Sequence, residues 1–124
     1  MADRVIFAGP TTDAHSFYRA ADFFVLPTRH DPCSLVVLES LAMGVPVIST
    51  AFNGACEIMD EGVQGFILPE ARDIGALRDR YVRMLDDADR RQMSMACLAL
   101  RPRLSQEHHL DRLLAVYRQH GTTR

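Results

Sequence analysis

Apolar residues along the chain follow two rhythms, and the change comes at Pro69. Upstream of it, short continuous apolar runs are separated by stretches in which apolar residues recur three or four positions apart. The runs "RVIFA", "FFVL", "PVIS" and "GFIL" predict strands over residues 4–8, 23–26, 46–49 and 65–68. Gly9-Pro10 closes the first and Pro27 stops the second. Asp13 can cap a helix carrying Phe17, Ala20 and Ala21, and a second helix is predicted over residues 34–43. Gly44 sits where a left-handed cap residue belongs, and Pro46 prevents continuation. The turn "FNG" leads into a short helix through Glu57 to Met59.

Downstream of Pro69 the pattern is helical throughout. Ile74, Leu77, Tyr81, Met84 and Leu85 make one stripe, Met93, Cys97 and Leu100 a second, and Leu110, Leu113, Leu114 and Tyr117 a third. Pro102 separates the last two stripes, "GTTR" reads as a polar frayed end, and no segment repeats another. Strands alternating with helices predict an α/β, Rossmann-like, mostly parallel sheet followed by C-terminal helices. Ligands of such sheets sit beyond the carboxyl ends of the strands, so the loops after residues 8, 26, 49 and 68 carry the chemistry.

One residue breaks the apolar rhythm. From Leu35 to Ile48 nearly every side chain is apolar or small, yet Glu39 lies in the middle, eight positions after Asp31. An unpaired carboxylate in a dry interior costs several kcal/mol, so Glu39 is solvated, paired or facing a ligand. In the first case Glu39 and Ser40 form the wet side of a helix whose Leu35, Leu38, Leu41 and Ala42 form the dry side. In the last, Asp31 and Glu39 stand roughly 12 Å apart along a helix axis and flank its N-terminus, whose free N–H groups suit a phosphate. Two hydroxyl-binding acids around an anion site would describe a receptor for a nucleotide sugar.

The stretch "ADFFVLPTRHDPCSLVVLESLAMGVPVISTAFNGACEIMDEGVQGFIL" resembles the donor-binding region of family-4 (group 1) glycosyltransferases, retaining enzymes of the GT-B fold with two Rossmann-like domains. Their pattern is a strand ending in Pro-Ser or Pro-Thr, two Glu residues separated by seven positions, Ala-Met-Ala-x-Gly-x-Pro-Val, then a Gly-rich turn and Glu-Ile. This chain matches it at Pro27, Thr28, Glu39, Ala42, Gly44, Pro46, Val47, Gly54, Glu57, Ile58, Gly62 and Gly65. The resemblance implies that Glu39 holds the ribose hydroxyls of a UDP- or GDP-sugar. Asp31 stands where the family has its first Glu, which contacts the transferred sugar, and the backbone at Cys33, Ser34 and Leu35 lines diphosphate and sugar. His30 would face the sugar beside Asp31; Arg29, Asn53, Gly54 and Glu57 would lie near the site. Asp for Glu shortens the reach by one methylene, and Ser34 replaces a Gly that admits close approach of the ligand. "Asp-Pro-Cys-Ser" is similar to the bacterial branch acting on lipopolysaccharide core and related cell-surface glycans.

The same resemblance exposes what the chain lacks. The family's donor domain opens with a strand ending in Gly-Arg and a Lys-Gly pair, cations that stabilise the leaving diphosphate in a metal-free transferase. This sequence has neither segment and no Lys at all; its fourteen basic residues are all Arg. Residues 1–124 therefore read as one partial nucleotide-sugar-binding domain, an α/β core over 1–69 and a helical part over 70–124, inactive alone. In a sheet of order 3-2-1-4-5-6 the strand over 4–8 would be third, separated from 23–26 by two missing strands. Either it closes against the others, or an acceptor domain or a second copy of the chain completes the sheet. The alternatives are a non-catalytic assembly module using an open sheet edge and, less favoured, a sugar-nucleotide epimerase. An NAD-type domain is disfavoured because no GxGxxG follows a strand.

Composition narrows the remainder. A net charge of −2 gives no field favouring nucleic acid. Three widely spaced cysteines without a CxxC pair suit reduced thiols in the cytoplasm, with a membrane-bound acceptor compatible at its inner face. Asp87-Ala88-Asp89 spells a metal-binding DxD but reads as a polar connector with a helix cap, and no second pair completes a zinc site with His30 and Cys33. No metal or other cofactor is expected. Adjacent His108 and His109 point to different sides of a helix, Ser34 lacks a GxSxG elbow, and Asn53-Gly54 is first a turn and cap. Glu57 suits the first turn of a helix as well as a sugar contact.

Overall fold

The structure, a computed structural model, describes residues 2–121. A 3₁₀ turn at Ala2–Arg4 precedes α1 (Ala14–Ala20), β1 (Phe24–Leu26), α2 (Leu35–Ala42) and β2 (Val47–Thr50). A second 3₁₀ turn, Gly54–Ile58, leads to β3 (Gly65–Leu68), and α3 (Ile74–Arg83), α4 (Asp87–Ala99), α5 (Arg101–Leu104) and α6 (Gln106–His120) complete the chain. The three strands form one parallel sheet in the order β1-β2-β3, with Val25 opposite Ile48 and Ile48 opposite Phe66. Gly65, at φ 147°, lets β3 close onto its neighbour: a Cβ there would stand 1.9 Å from the Val47 carbonyl oxygen.

Pleating sends alternate side chains to opposite faces. Phe24, Leu26 and Val47 join Val37 and Leu41 of α2 and Cys97 and Leu100 on one face. Val25, Ile48, Phe66 and Leu68 join Met84, Met93 and Leu77 on the other. The C-terminal helices thus enter both cores, and fully burying residues such as Ile48, Phe66 and Leu41 contributes about 1.5–3 kcal/mol each.

Several sequence expectations need correction. The strand over 4–8 does not form: Val5, Ile6 and Phe7 are 60%, 88% and 94% exposed, and no strand lies beside them among the described residues. A β-leaning run without ladder partners has nothing to pair its N–H and C=O groups, so propensity alone does not hold it. In α1 the buried residue is Tyr18, while Phe17 is exposed. In α2 the dry side runs through Val37, Ser40 and Leu41; Leu35 is exposed, and the Ser40 hydroxyl is satisfied by donating to the Val45 carbonyl at 3.1 Å. Of the later stripes, the second is buried, whereas Ile74, Tyr81 and Leu85 and all four apolar residues named in α6 are exposed, because α6 packs on α5 rather than on the sheet. The "GTTR" end lies outside the described residues from position 122 onward. Gly44 has the expected left-handed φ, 80°, just past α2.

Candidate functional site

The carboxyl ends of β1 and β2 are fastened together before either chain leaves the sheet. The Ser49 hydroxyl donates to the Leu26 carbonyl at 2.8 Å and the Thr50 hydroxyl to the Thr28 carbonyl at 2.6 Å. Beyond them the two loops run side by side: Asp31 N–H donates to the Phe52 carbonyl (3.1 Å), and Gly54 N–H to the Asp31 carbonyl (3.0 Å). The approach is close enough to require glycine at 54, where a Cβ would stand 2.0 Å from the Pro32 oxygen.

Asn53 is the pin of this arrangement. Fully buried, it caps the following 3₁₀ turn by accepting from Ala55 N–H at 3.1 Å. The same oxygen accepts from Ser34 N–H at 3.2 Å, and its Nδ2 donates to the Ser49 hydroxyl at 3.1 Å. One side chain therefore sets where the loop after β1 turns into α2. Asn53 was expected as a turn and cap; its hold on Ser34, nineteen positions away, has no local sequence signal.

At the start of α2, two of the three backbone N–H groups expected to face a ligand are already engaged. Cys33 N–H donates to Asp31 Oδ1 at 3.1 Å, and Ser34 N–H to Asn53. The Ser34 hydroxyl makes no capping bond although the residue is buried. Among the described residues, no acceptor takes the N–H groups of Leu35 and Val36, which are left as open donors at the positive end of this helix. Asp31 is half-buried and turned onto its own loop through one carboxylate oxygen, while Cys33, Arg29 and His30 are exposed beside it.

Glu39 lies one turn further along α2 and is exposed, not enclosed by the apolar residues around it in sequence. It is held: the Tyr18 hydroxyl of α1 reaches its Oε2 at 3.1 Å. Burial, with Glu39 as a second cause, pushes the Tyr18 phenol up to about 12, so it remains a protonated donor at neutral pH.

The loops after all three strands share a cleft of about 320 Å³ lined by Arg29, Phe52, Glu70, Ala71 and Arg72. Arg72 adds a second guanidinium beside Arg29. The sequence offered only one signal for it, its place in the loop after residue 68. Glu57 lies exposed in the 3₁₀ turn, apart from the lining of this cleft. Asp87 and Asp89 occupy the first turn of α4, capped by Asp86, and pair with Arg90 and Arg83. No group of three or more His, Cys, Asp or Glu is placed to share an ion among the described residues, and no helix among them is long and apolar enough to cross a membrane.

Comparison with known proteins agrees with this fold. The chain is 37% identical over 92 residues to the lipopolysaccharide core biosynthesis mannosyltransferase LpsB of Rhizobium meliloti (strain 1021), covering 73% of this chain and 26% of that protein. Its fold superposes on sucrose-phosphate synthase from Thermosynechococcus elongatus with a TM-score of 0.82 at 29% identity, covering 94% of this chain and 30% of the other. It also matches Anabaena HepE in complex with UDP and glucose, with a TM-score of 0.77 at 19% identity, over 95% of this chain and 32% of that one. The chain thus spans about a quarter to a third of the length of these relatives. The model of the family described as "Glycosyl transferases group 1" matches residues 1–87, and the chain, an α/β Rossmann-like unit with that family's motif, belongs to it.

Proposed function

We propose that this chain is the donor side of a retaining hexosyltransferase that moves a sugar from UDP- or GDP-sugar to a cell-surface glycan or lipid acceptor without a metal. In this reading Glu39 accepts from the ribose hydroxyls, the N–H groups of Leu35 and Val36 receive the diphosphate, and Asp31 and His30 face the transferred sugar. Arg29 and Arg72 border the diphosphate side, and Asn53, Gly54 and Glu57 shape the far wall. The observation that carries the reading is the exposed, hydrogen-bonded Glu39 on a helix whose open N-terminus lies at the carboxyl ends of parallel strands. The relatives' names support its two ends: HepE was crystallised with UDP and glucose, and LpsB is named for lipopolysaccharide core synthesis. An acceptor-side polypeptide completes the enzyme, at the inner face of a membrane, and the 124 residues alone do not turn over.

Titration with UDP- and GDP-sugars tests the assignment. Replacing Glu39 by Ala is expected to weaken binding at least roughly tenfold, since at least one hydroxyl-to-carboxylate bond is lost. Equal affinity of both forms would remove Glu39 from the ribose. Steady sugar transfer by the isolated chain would refute the division of labour.

A second reading, a non-catalytic assembly module, is favoured by the outer edge of β1, unpaired among the described residues, and the exposed Val5-Ile6-Phe7 run. Self-association without nucleotide-sugar binding would select it.

A further inference from the structure

We infer that Tyr18 is a positioning residue for Glu39: its phenol fixes one carboxylate oxygen so that the other is presented to a ribose hydroxyl. This rests on the ribose reading of Glu39 given above.

Three elements converge to make the contact. Tyr18 is the one buried side chain of α1, 7% exposed. Its ring meets Phe24 of β1 edge-on, with centroids 6.1 Å apart and planes at 69°. The ring is therefore set by the sheet, and α1 itself is tied down at its start by Asp13, which accepts from the N–H and hydroxyl of Ser16. From that fixed ring the hydroxyl reaches α2, where two acceptors lie within range: the Val36 carbonyl at 3.2 Å and Glu39 Oε2 at 3.1 Å.

A phenol has one proton and donates fully to one partner at a time. The ionised carboxylate is the stronger acceptor, which favours Glu39 over the helix carbonyl. An exposed glutamate is otherwise free to sample its rotamers, and ordering it when a ligand arrives costs conformational entropy. Here the neighbouring helix has already chosen the rotamer, while Oε1 makes no hydrogen bond among the described residues. The hydroxyl is dispensable for packing, because a phenylalanine would keep the ring against Phe24. What it adds is specific to the carboxylate.

The test is a double-mutant cycle read by ribose discrimination. Affinities of the full chain for UDP and GDP are compared with those for their 2′,3′-dideoxy forms in the wild type, Tyr18→Phe, Glu39→Ala and the double variant. The expected result is that Tyr18→Phe lowers the preference for the ribose diol by roughly tenfold, the scale of the ordering cost that a pre-set glutamate rotamer avoids. In the Glu39→Ala background it changes nothing further. If Tyr18→Phe weakens diol and dideoxy ligands equally, or acts undiminished without Glu39, Tyr18 is a packing residue and the inference falls while the ribose reading stands. If the wild type shows no diol preference, or Glu39→Ala retains it, the ribose reading fails and takes the inference with it.

Discussion

Asn53 Oδ1 accepts from the backbone N–H of Ser34 at 3.2 Å and of Ala55 at 3.1 Å, so one buried oxygen joins the start of α2 to the turn after β2. Removing it strands two N–H groups in a buried setting, each costing about 1–3 kcal/mol. Asn53→Ala is therefore expected to lower stability by about 3 kcal/mol in urea unfolding. Ser49→Ala, which loses the Leu26 contact and the Asn53 partner but strands fewer donors, is expected to cost less, about 1–2 kcal/mol. The reverse order would show that the sheet end, not the side-chain amide, holds the loops.

Gly54→Ala tests the same junction by insertion. The added methyl meets the Pro32 carbonyl oxygen, a backbone atom that cannot rotate away, at 2.0 Å. The loops after β1 and β2 must separate, at a cost of about 1–3 kcal/mol. Because Asp31 is bonded on both sides of this contact, nucleotide-sugar affinity is expected to fall beyond what reduced folding explains. Calorimetric titration well below the melting temperature separates the two effects.

How much of this was legible in the sequence depends on how far each interaction reaches. β1, β2 and β3 are visible as apolar runs with Pro on one flank, and Gly44 as the cap of α2, since each rests on neighbours in the chain. The run through Val5 to Phe7 carried an equal local signal and is not a strand, because pairing depends on partners elsewhere. Glu39 stood out by type, yet its donor Tyr18 lies twenty-one positions away on a helix whose apolar spacing pointed to Phe17. Ser40, wet in one of the alternatives for Glu39, is buried, because its hydroxyl finds the Val45 carbonyl after the chain turns at Gly44. Motif spacing points to candidate side chains; it carries no trace of which N–H groups of the helix start are spent on Asp31 and Asn53.

The exposed N-terminal run offers a contrasting prediction. Changing Val5, Ile6 and Phe7 to Ser removes no core contact, since all three face solvent. Stability in urea is expected to stay within about 0.5 kcal/mol of the parent, as for surface substitutions generally. A loss of several kcal/mol would mean that the run is paired in solution after all. Analytical ultracentrifugation of the same variant asks whether that pairing is between copies.

Alkaline pH reports on three buried acids that the fold keeps neutral, Cys97, Tyr18 and Cys56, whose thiol burial also pushes up from an ordinary 9.0. Burial pushes the Cys97 thiol, which donates to the Gln64 carbonyl at 3.4 Å, from an ordinary 9.0 up to about 12. Burial and then Glu39 push Tyr18 from 10.0 up to about 12. In all three cases the folded value lies above the unfolded one, so the unfolded chain loses its proton first as pH rises, and stability falls with pH. The contribution is complete below pH 9, begins to fall between 9 and 10 through Cys97 and, with its smaller shift, Cys56, and falls faster from 10 to 12 as Tyr18 joins them. Urea midpoints measured under reducing conditions at neutral pH and across this window are expected to show that profile. Tyr18→Phe should remove the steepening above pH 10, and Cys97→Ala should reduce the earlier onset to the smaller part owed to Cys56, after allowance for the neutral-pH cost of each substitution. A midpoint that stays level to pH 11 would show that none of these groups is shielded from water as the structure has it.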